Sequence, residues 1–197
     1  MRIGVLAVQG AFAEHIAVLR KLKAEALPVR LPLELISLDG LIIPGGESTT
    51  ISRLMRDYDL SDKIRKLAES GLPILGTCAG LILLAKELSD SKVEPLGLMD
   101  IVVRRNAFGR QRESFEAELA IPALGEKPFP GVFIRAPVIE QANGNVAVLT
   151  RLDNGTIVAA RQEKLIATAF HPELTTDPRL HKYFMDIISN SKPSPGE

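Results

Sequence analysis

The chain has one cysteine, Cys78, no tryptophan, three histidines and no surplus of charge of either sign. A single cysteine excludes an internal disulfide framework, so the fold must rest on its core. Lys+Arg and Asp+Glu both total 24, for a formal net charge of +0. Nucleic acids and anionic membranes select a basic excess, and neither is expected as a partner. Long apolar runs are missing too. The longest uncharged stretch, residues 72–85, is interrupted by Pro73, Gly76 and Gly80, and it falls short of the roughly 20 residues a membrane helix needs. Met1-Arg2 leads straight into the apolar residues 3–8, then Gln9-Gly10 and the acidic Glu14. That start lacks the apolar length and cleavage site of a signal peptide, so the expected location is cytoplasmic.

What is present is enough for a core. Hydrophobic residues make up 46% of 197 positions, and a chain of this size has no need to divide. One domain over residues 1–190 is expected. The tail 191–197 holds two prolines, a glycine and no large apolar side chain, which predicts disorder. In the first half, residues 3–8, 41–43 and 73–77 are short apolar runs ended by turn signals, the mark of strands buried on both faces. Between them Ile16, Leu19 and Leu22, then Ile51, Leu54 and Met55, fall at helical spacing, with Ser48-Thr49-Thr50 placed to cap the second helix. Residues 61–69 and 81–88 read as further helices. The second half reads as short strands at 100–104, 115–119, 131–134, 146–149, 156–160 and 165–170, then a helix near 178–189. Asn143-Gly144 and Asn154-Gly155 are hairpin-type turns. This order predicts an α/β fold whose mostly parallel sheet carries an antiparallel extension.

Gly76-Thr77-Cys78-Ala79-Gly80 joins a predicted strand to a predicted helix. Such a turn holds a nucleophile in a strained conformation, with small neighbours to avoid collision. The helix start favours a thiolate at Cys78, and the Ala79 N–H is placed to donate to an oxyanion. A lone cysteine is more often inert packing, so a base is required. Of the histidines, His15 reads as a surface or partly buried helix residue. His181, four positions after Asp177, reads as half of a solvated pair. His171 differs: it ends an apolar strand and opens His171-Pro172-Glu173. Pro172 pushes His171 towards extended geometry, in which residues i and i+2 share a side. Glu173 can then orient the imidazole as the acid of a triad does, although a strand-end histidine beside an exposed glutamate is the plainer alternative.

Pro44-Gly45-Gly46-Glu47-Ser48 follows another buried strand. Paired glycines there anchor phosphate, present N–H groups to an oxyanion, or simply turn the chain; the Lys-Ser/Thr ending of a phosphate loop is absent. Glu47 at the rim suits an ammonium or amide group.

Together, PGGES at 44–48, GTCAG at 76–80 and HPE at 171–173 resemble the class I glutamine amidotransferases. GVLAVQGAFAEH at 4–15, PGGESTT at 44–50, GTCAGLILLAKE at 76–87, RNAFGRQRESFEAEL at 105–119, GVFIRAP at 131–137 and FHPELT at 170–175 narrow the resemblance. Over nearly the whole chain, it resembles the glutaminase subunits of pyridoxal 5′-phosphate synthases. The resemblance implies a flavodoxin-like three-layer α/β sandwich with no cofactor and no metal. It implies Cys78 as nucleophile, His171 as general acid and base, and Glu173 as its orienter. Gly46, Glu47, Ser48, Arg105, Ile134 and Arg135 would line a site for L-glutamine, and Ala79, Gly45 and Gly46 would form the oxyanion hole. The implied partner is the synthase barrel subunit, in a hetero-oligomer that raises the activity of a weakly active free subunit. Residues 23–38 are the least family-like. The competing readings are a glutaminase for another synthase, a cysteine peptidase or amidase of the same superfamily, and a non-enzymatic regulatory subunit.

Overall fold

The computed structural model describes residues 1–89, 93–105 and 114–191. The expectation of a disordered tail, and residues 106–113 of the quoted motif at 105–119, lie outside them. The first half runs β1 (Arg2–Leu6), α1 (Phe12–Lys21), β2 (Glu25–Val29), β3 (Gly40–Ile43), α2 (Ser48–Asp57), α3 (Leu60–Glu69), β4 (Ile74–Thr77), α4 (Ala79–Leu84) and β5 (Ala85–Leu88). The second half runs β6 (Met99–Arg104), β7 (Ser114–Leu119), β8 (Phe129–Ile134), β9 (Val138–Ala142), β10 (Ala147–Arg151), β11 (Ile157–Gln162), β12 (Leu165–Thr168) and α5 (Arg179–Asn190).

Ten strands form one sheet in the order β2-β1-β3-β4-β12-β11-β9-β6-β5, with β10 paired to β11; β7 and β8 form a separate antiparallel pair. The five strands from β2 to β12 are mutually parallel. Antiparallel pairing begins at β11. The fold is thus the α/β type expected, a mostly parallel sheet with an antiparallel extension. Side chains alternate across a strand, and two glycines reveal the layers. A Cβ on Gly40 of β3 would meet Ile188 and Phe184 of α5, whereas one on Gly76 of β4 would meet Gly80 and Leu84 of α4. Ile43 pairs with Gly76, so Ile43 faces α4 and Gly40, three positions earlier, faces the other way. Helices α4 and α5 therefore cover opposite faces. Thr77, next to Gly76, points to the α5 side. One buried apolar cluster runs from Ile3 to Ile188, and no helix of the described residues is long and apolar enough to cross a membrane.

Several elements differ from the sequence reading. The stretch read as helix over 81–88 is helix only over Ala79–Leu84 and then becomes β5; Lys86 and Glu87 are exposed while Leu81, Leu83 and Leu84 are buried. Strands β2 and β9 were not anticipated. Pro28 interrupts the β2 sequence, and an edge strand tolerates it because its outer side needs no ladder donor. Asn154-Gly155 does close a hairpin, β10 to β11, with Gly155 at φ 84°. Asn143-Gly144 instead turns the chain between β9 and β10, each of which pairs with β11 rather than with the other.

Candidate active site

Parallel strands β1, β3, β4 and β12 all end on one edge of the sheet, where the chain leaves each strand to cross over. Such carboxyl edges are where open α/β sheets hold ligands. Here β4 delivers Cys78, β12 delivers His171, β3 delivers Gly45-Gly46-Glu47 and β1 delivers Gln9.

Cys78 has φ 49° and ψ −100°, a strained conformation for a residue with a side chain. Its N–H donates to the Thr168 carbonyl at 2.8 Å, which ties the turn to β12. The flanking glycines are required by packing. A Cβ at Gly76 would come within 2.6 Å of the Gly80 backbone, and one at Gly80 would overlap the Ile43 carbonyl oxygen. The thiol also sits 3.8 Å from the Ile134 carbonyl oxygen, beside Arg135, itself at φ 43°.

His171 begins a single 3₁₀ turn, Pro172–Leu174, and its N–H donates to the Val132 carbonyl at 2.8 Å. The ring donates from Nδ1 to Glu173 Oε1 at 2.7 Å. The Cys78 side chain and the imidazole both pack against Gly45 and line the same cleft. Burial opposes a charge on His171, but the neighbouring Cys78 and the hydrogen-bonded Glu173 outweigh it and raise the imidazole to about 10. The surroundings therefore favour an imidazolium at His171, hydrogen-bonded to the Glu173 side chain. A Cβ at Gly45 would overlap His171 Cε1 and lie 3.3 Å from Cys78 Cβ.

Glu47, rather than Ser48, caps α2. Its carboxylate accepts from the N–H of Thr49 at 3.0 Å and of Thr50 at 2.7 Å, and from Thr50 Oγ1 at 2.6 Å. Ser48 is buried instead. The Thr50 hydroxyl above all, with the two N–H groups against a small burial penalty, holds the Glu47 carboxyl down to about 2, so the rim carries a fixed negative charge. Arg105 answers it, with Nη2 3.8 Å from Glu47 Oε1 and Nη1 3.5 Å from Thr49 Oγ1. Between them opens a cleft of about 450 Å³, lined by Gly46, Glu47, Ser48, Cys78, Ala79, Arg105, Ile134, Arg135 and His171. Gln9 and Ile82 complete the lining, and the sequence reading missed both. Gln9 Oε1 accepts from the Glu47 N–H at 2.9 Å and fixes the glycine loop. Its signal was a polar side chain at the carboxyl end of a buried parallel strand. Among the described residues no group of three His, Cys, Asp or Glu side chains is arranged to hold a metal ion.

The other two histidines are not where the sequence suggested. His15 and His181 are wholly buried and pair with each other, Nδ1 to Nε2, at 2.9 Å; Asp177 instead pairs with Arg179. Burial, then the proximity of His181 and His171, keeps His15 well below the usual imidazole range, and burial alone brings His181 down to about 4. The unfolded chain binds protons at these sites near pH 6.5 and the folded chain refuses them, so the stability they confer is complete above that pH and falls as pH drops towards 4. Each contributes a slope approaching about 1.4 kcal/mol per pH unit in that window. The depressed carboxylates Glu34, Glu47 and Asp177 act only below about 4.5. From pH 7 to about 6 the raised His171 opposes this slope. Urea denaturation at about pH 6, 5.5 and 5 should therefore show stability falling, and His181→Phe should flatten the fall; a pH-independent midpoint over this range would contradict the burial of these rings.

The SNO glutamine amidotransferase family model matches residues 5–190. A pyridoxal 5′-phosphate synthase subunit PdxT from Dehalococcoides mccartyi is 56% identical over 195 residues, covering 98% of this chain and 100% of the relative. Another PdxT, from Herpetosiphon aurantiacus, is 57% identical over 190 residues, covering 95% and 100%. A crystal structure of a glutamine amidotransferase superposes with a TM-score of 0.91 at 49% identity, over 96% of this chain and 100% of that one. A putative GMP synthase protein from Thermoplasma acidophilum, at 19% identity and a TM-score of 0.69 over 96% and 94%, shares the fold.

Proposed function

This chain belongs to the SNO glutamine amidotransferase family, and on that premise we propose that it hydrolyses the side-chain amide of L-glutamine. The ammonia passes to a pyridoxal 5′-phosphate synthase subunit in a hetero-oligomer, as the names of the PdxT relatives suggest. The observation that carries the reading is the juxtaposition of Cys78 and His171 against Gly45, with His171 hydrogen-bonded to Glu173 and both opening on a cleft whose rim holds Glu47 and Arg105. A rim with both charges suits an amino acid. Its α-ammonium goes to Glu47 and its α-carboxylate to Arg105 and Arg135, which leaves the side-chain amide pointing at the sulfur.

The Cys78 thiolate attacks the carboxamide carbon. The C=O π pair moves to oxygen, and the oxyanion accepts from the N–H groups of Ala79 and the Gly45-Gly46 loop. The His171 imidazolium gives its proton to the nitrogen, the C–N bond breaks, and ammonia leaves a γ-glutamyl thioester. Neutral His171 then takes a proton from water as the hydroxyl adds to the thioester carbon. Collapse expels the thiolate, and glutamate departs. Throughout, Glu173 holds the Nδ1–H and stabilises the imidazolium without being protonated.

Ammonia and glutamate release, assayed with and without the synthase subunit, tests this reading. Equimolar products that rise on adding the subunit support it; peptide cleavage without glutamine hydrolysis would replace it with the peptidase alternative. Glu173→Ala should lower kcat by about 10³-fold and leave KM for glutamine nearly unchanged, because the carboxylate orients the base and lies behind the cleft. A twofold loss would remove Glu173 from the triad.

A further inference from the structure

All three histidines of the chain meet in one buried line behind the cleft. Glu173 Oε1 takes the His171 Nδ1–H, and the other oxygen, Oε2, lies 3.3 Å from His15 Nε2. His15 Nδ1 lies 2.9 Å from His181 Nε2. Thr77 Oγ1, one residue before the nucleophile, is 3.2 Å from the same His15 Nε2. His15, Thr77 and His181 are fully buried, and so is the Glu173 side chain. Helix α1 thus reaches the carboxylate through His15, and α5, from the other end of the chain, backs His15 through His181.

Burial decides where the protons sit. Glu173 Oε2 has no well-aligned hydrogen bond among the described residues, and a buried carboxylate oxygen facing a lone pair is strongly disfavoured. A proton on His15 Nε2, shared between Glu173 Oε2 and Thr77 Oγ1, relieves this. His15 Nδ1 is then an acceptor for the Nε2–H of His181. His181 Nδ1, which has no partner among the described residues, is left as a bare lone pair. An orphaned acceptor is easier to bury than an orphaned N–H. The reverse tautomers would orphan an N–H at His181 and aim a His15 lone pair at the carboxylate. Both rings are held neutral by burial, so the donor they supply brings no second positive charge to Glu173.

We propose that His15 is a positioning residue for the glutaminase reaction, holding Glu173 by its second oxygen while His181 sets the His15 tautomer. The inference rests on the function proposed above. Glu173 stands on a single 3₁₀ turn, and an N–H on each oxygen fixes its carboxylate plane, which in turn fixes the His171 ring.

Steady-state ammonia release by the complex with the synthase subunit provides the test. His15→Phe keeps a ring and removes both nitrogens; kcat should fall about 10- to 100-fold, the range of lost outer-shell partners, with KM for glutamine within about twofold. His15→Gln returns an N–H near the Nε2 position and should recover most of the loss. In a Glu173→Ala background, His15→Phe should cost nothing further, because the group it acts through is gone. A merely structural role would lower kcat by the same factor in both backgrounds, and that result, or an unchanged kcat in a folded His15→Phe complex, overturns the proposal. If His15→Phe does not fold, ¹⁵N NMR of the intact protein reads the tautomers directly. Neutral Nε2–H rings are expected for His15 and His181 at pH 7, and an Nδ1–H His15 overturns the proposal. A wild-type complex that releases no ammonia removes the glutaminase reading and this inference together; an active wild type with an unaffected His15→Phe removes the inference alone.

Discussion

Replacing Cys78 by alanine should lower ammonia release by at least about 10⁴-fold, with the synthase subunit present and glutamine saturating. The size of this effect follows from what remains. Cys78 is the chain's one thiol, and no other nucleophile takes its place at the tip of the β4–α4 elbow. The variant keeps the oxyanion donors and the base, so water must attack the amide directly, and a carboxamide resists water far more than a thioester does. The fold should survive. Alanine fills most of the same volume, and the strain at φ 49° is no greater for it. Binding of glutamine should persist, because Glu47, Arg105 and Arg135 are untouched. Isothermal titration of the variant with glutamine, beside the rate assay, separates lost chemistry from lost binding. A residual rate within tenfold of wild type would show that the sulfur is not the nucleophile.

The second large effect should come from a residue with no side chain at all. Gly45→Ala is expected to reduce kcat by about 10²- to 10³-fold, the scale on which an ångström of misplacement acts. Gly45 does not adopt a positive φ, so its backbone accepts alanine and the fold has no reason to fail. The added methyl, however, would overlap His171 Cε1, lie 3.0 Å from Nδ1 and 3.3 Å from Cys78 Cβ. The imidazole has nowhere to retreat, because its Nδ1 is held by Glu173 at 2.7 Å and that carboxylate is walled in by His15. The dyad must therefore open. Circular dichroism and co-elution with the synthase subunit should match wild type while turnover collapses; unchanged turnover would mean that the approach of Gly45 to the dyad is not needed.

The first effect turns on features legible in the sequence because they are local; the approach of Gly45 to His171, far along the chain, was not legible. A buried strand, a glycine bracket and a cysteine lie within residues 74–80, whereas Glu173 reaches His171 through a 3₁₀ turn and not along the extended chain the sequence suggested. Strands β1, β3 and β4 were readable for the same local reason, each being an apolar run closed by a turn. By contrast β12, read as part of the antiparallel extension, joins the parallel half beside β4. Where the sequence misled, distant contacts had decided. His15 and His181 stand 166 positions apart, and nothing near either one announces that α1 and α5 bury them against each other. The helix expected over 81–88 breaks at Ala85 because β5 pairs with β6, a partner more than ten residues on. Glu47 outcompetes Ser48 as the cap of α2 because its longer side chain folds back onto two N–H groups and a hydroxyl. Strand β2, with Pro28 inside it, is admitted only as an edge.

The most direct measurement is mass spectrometry of the complex after exposure to a glutamine analogue carrying an electrophilic ketone in place of its amide. The account expects one adduct, on the peptide that contains Cys78, formed in step with loss of ammonia release, slowed by excess glutamine and absent from Cys78→Ala. Full inactivation without an adduct on Cys78, or a labelled Cys78 that leaves ammonia release intact, would contradict it.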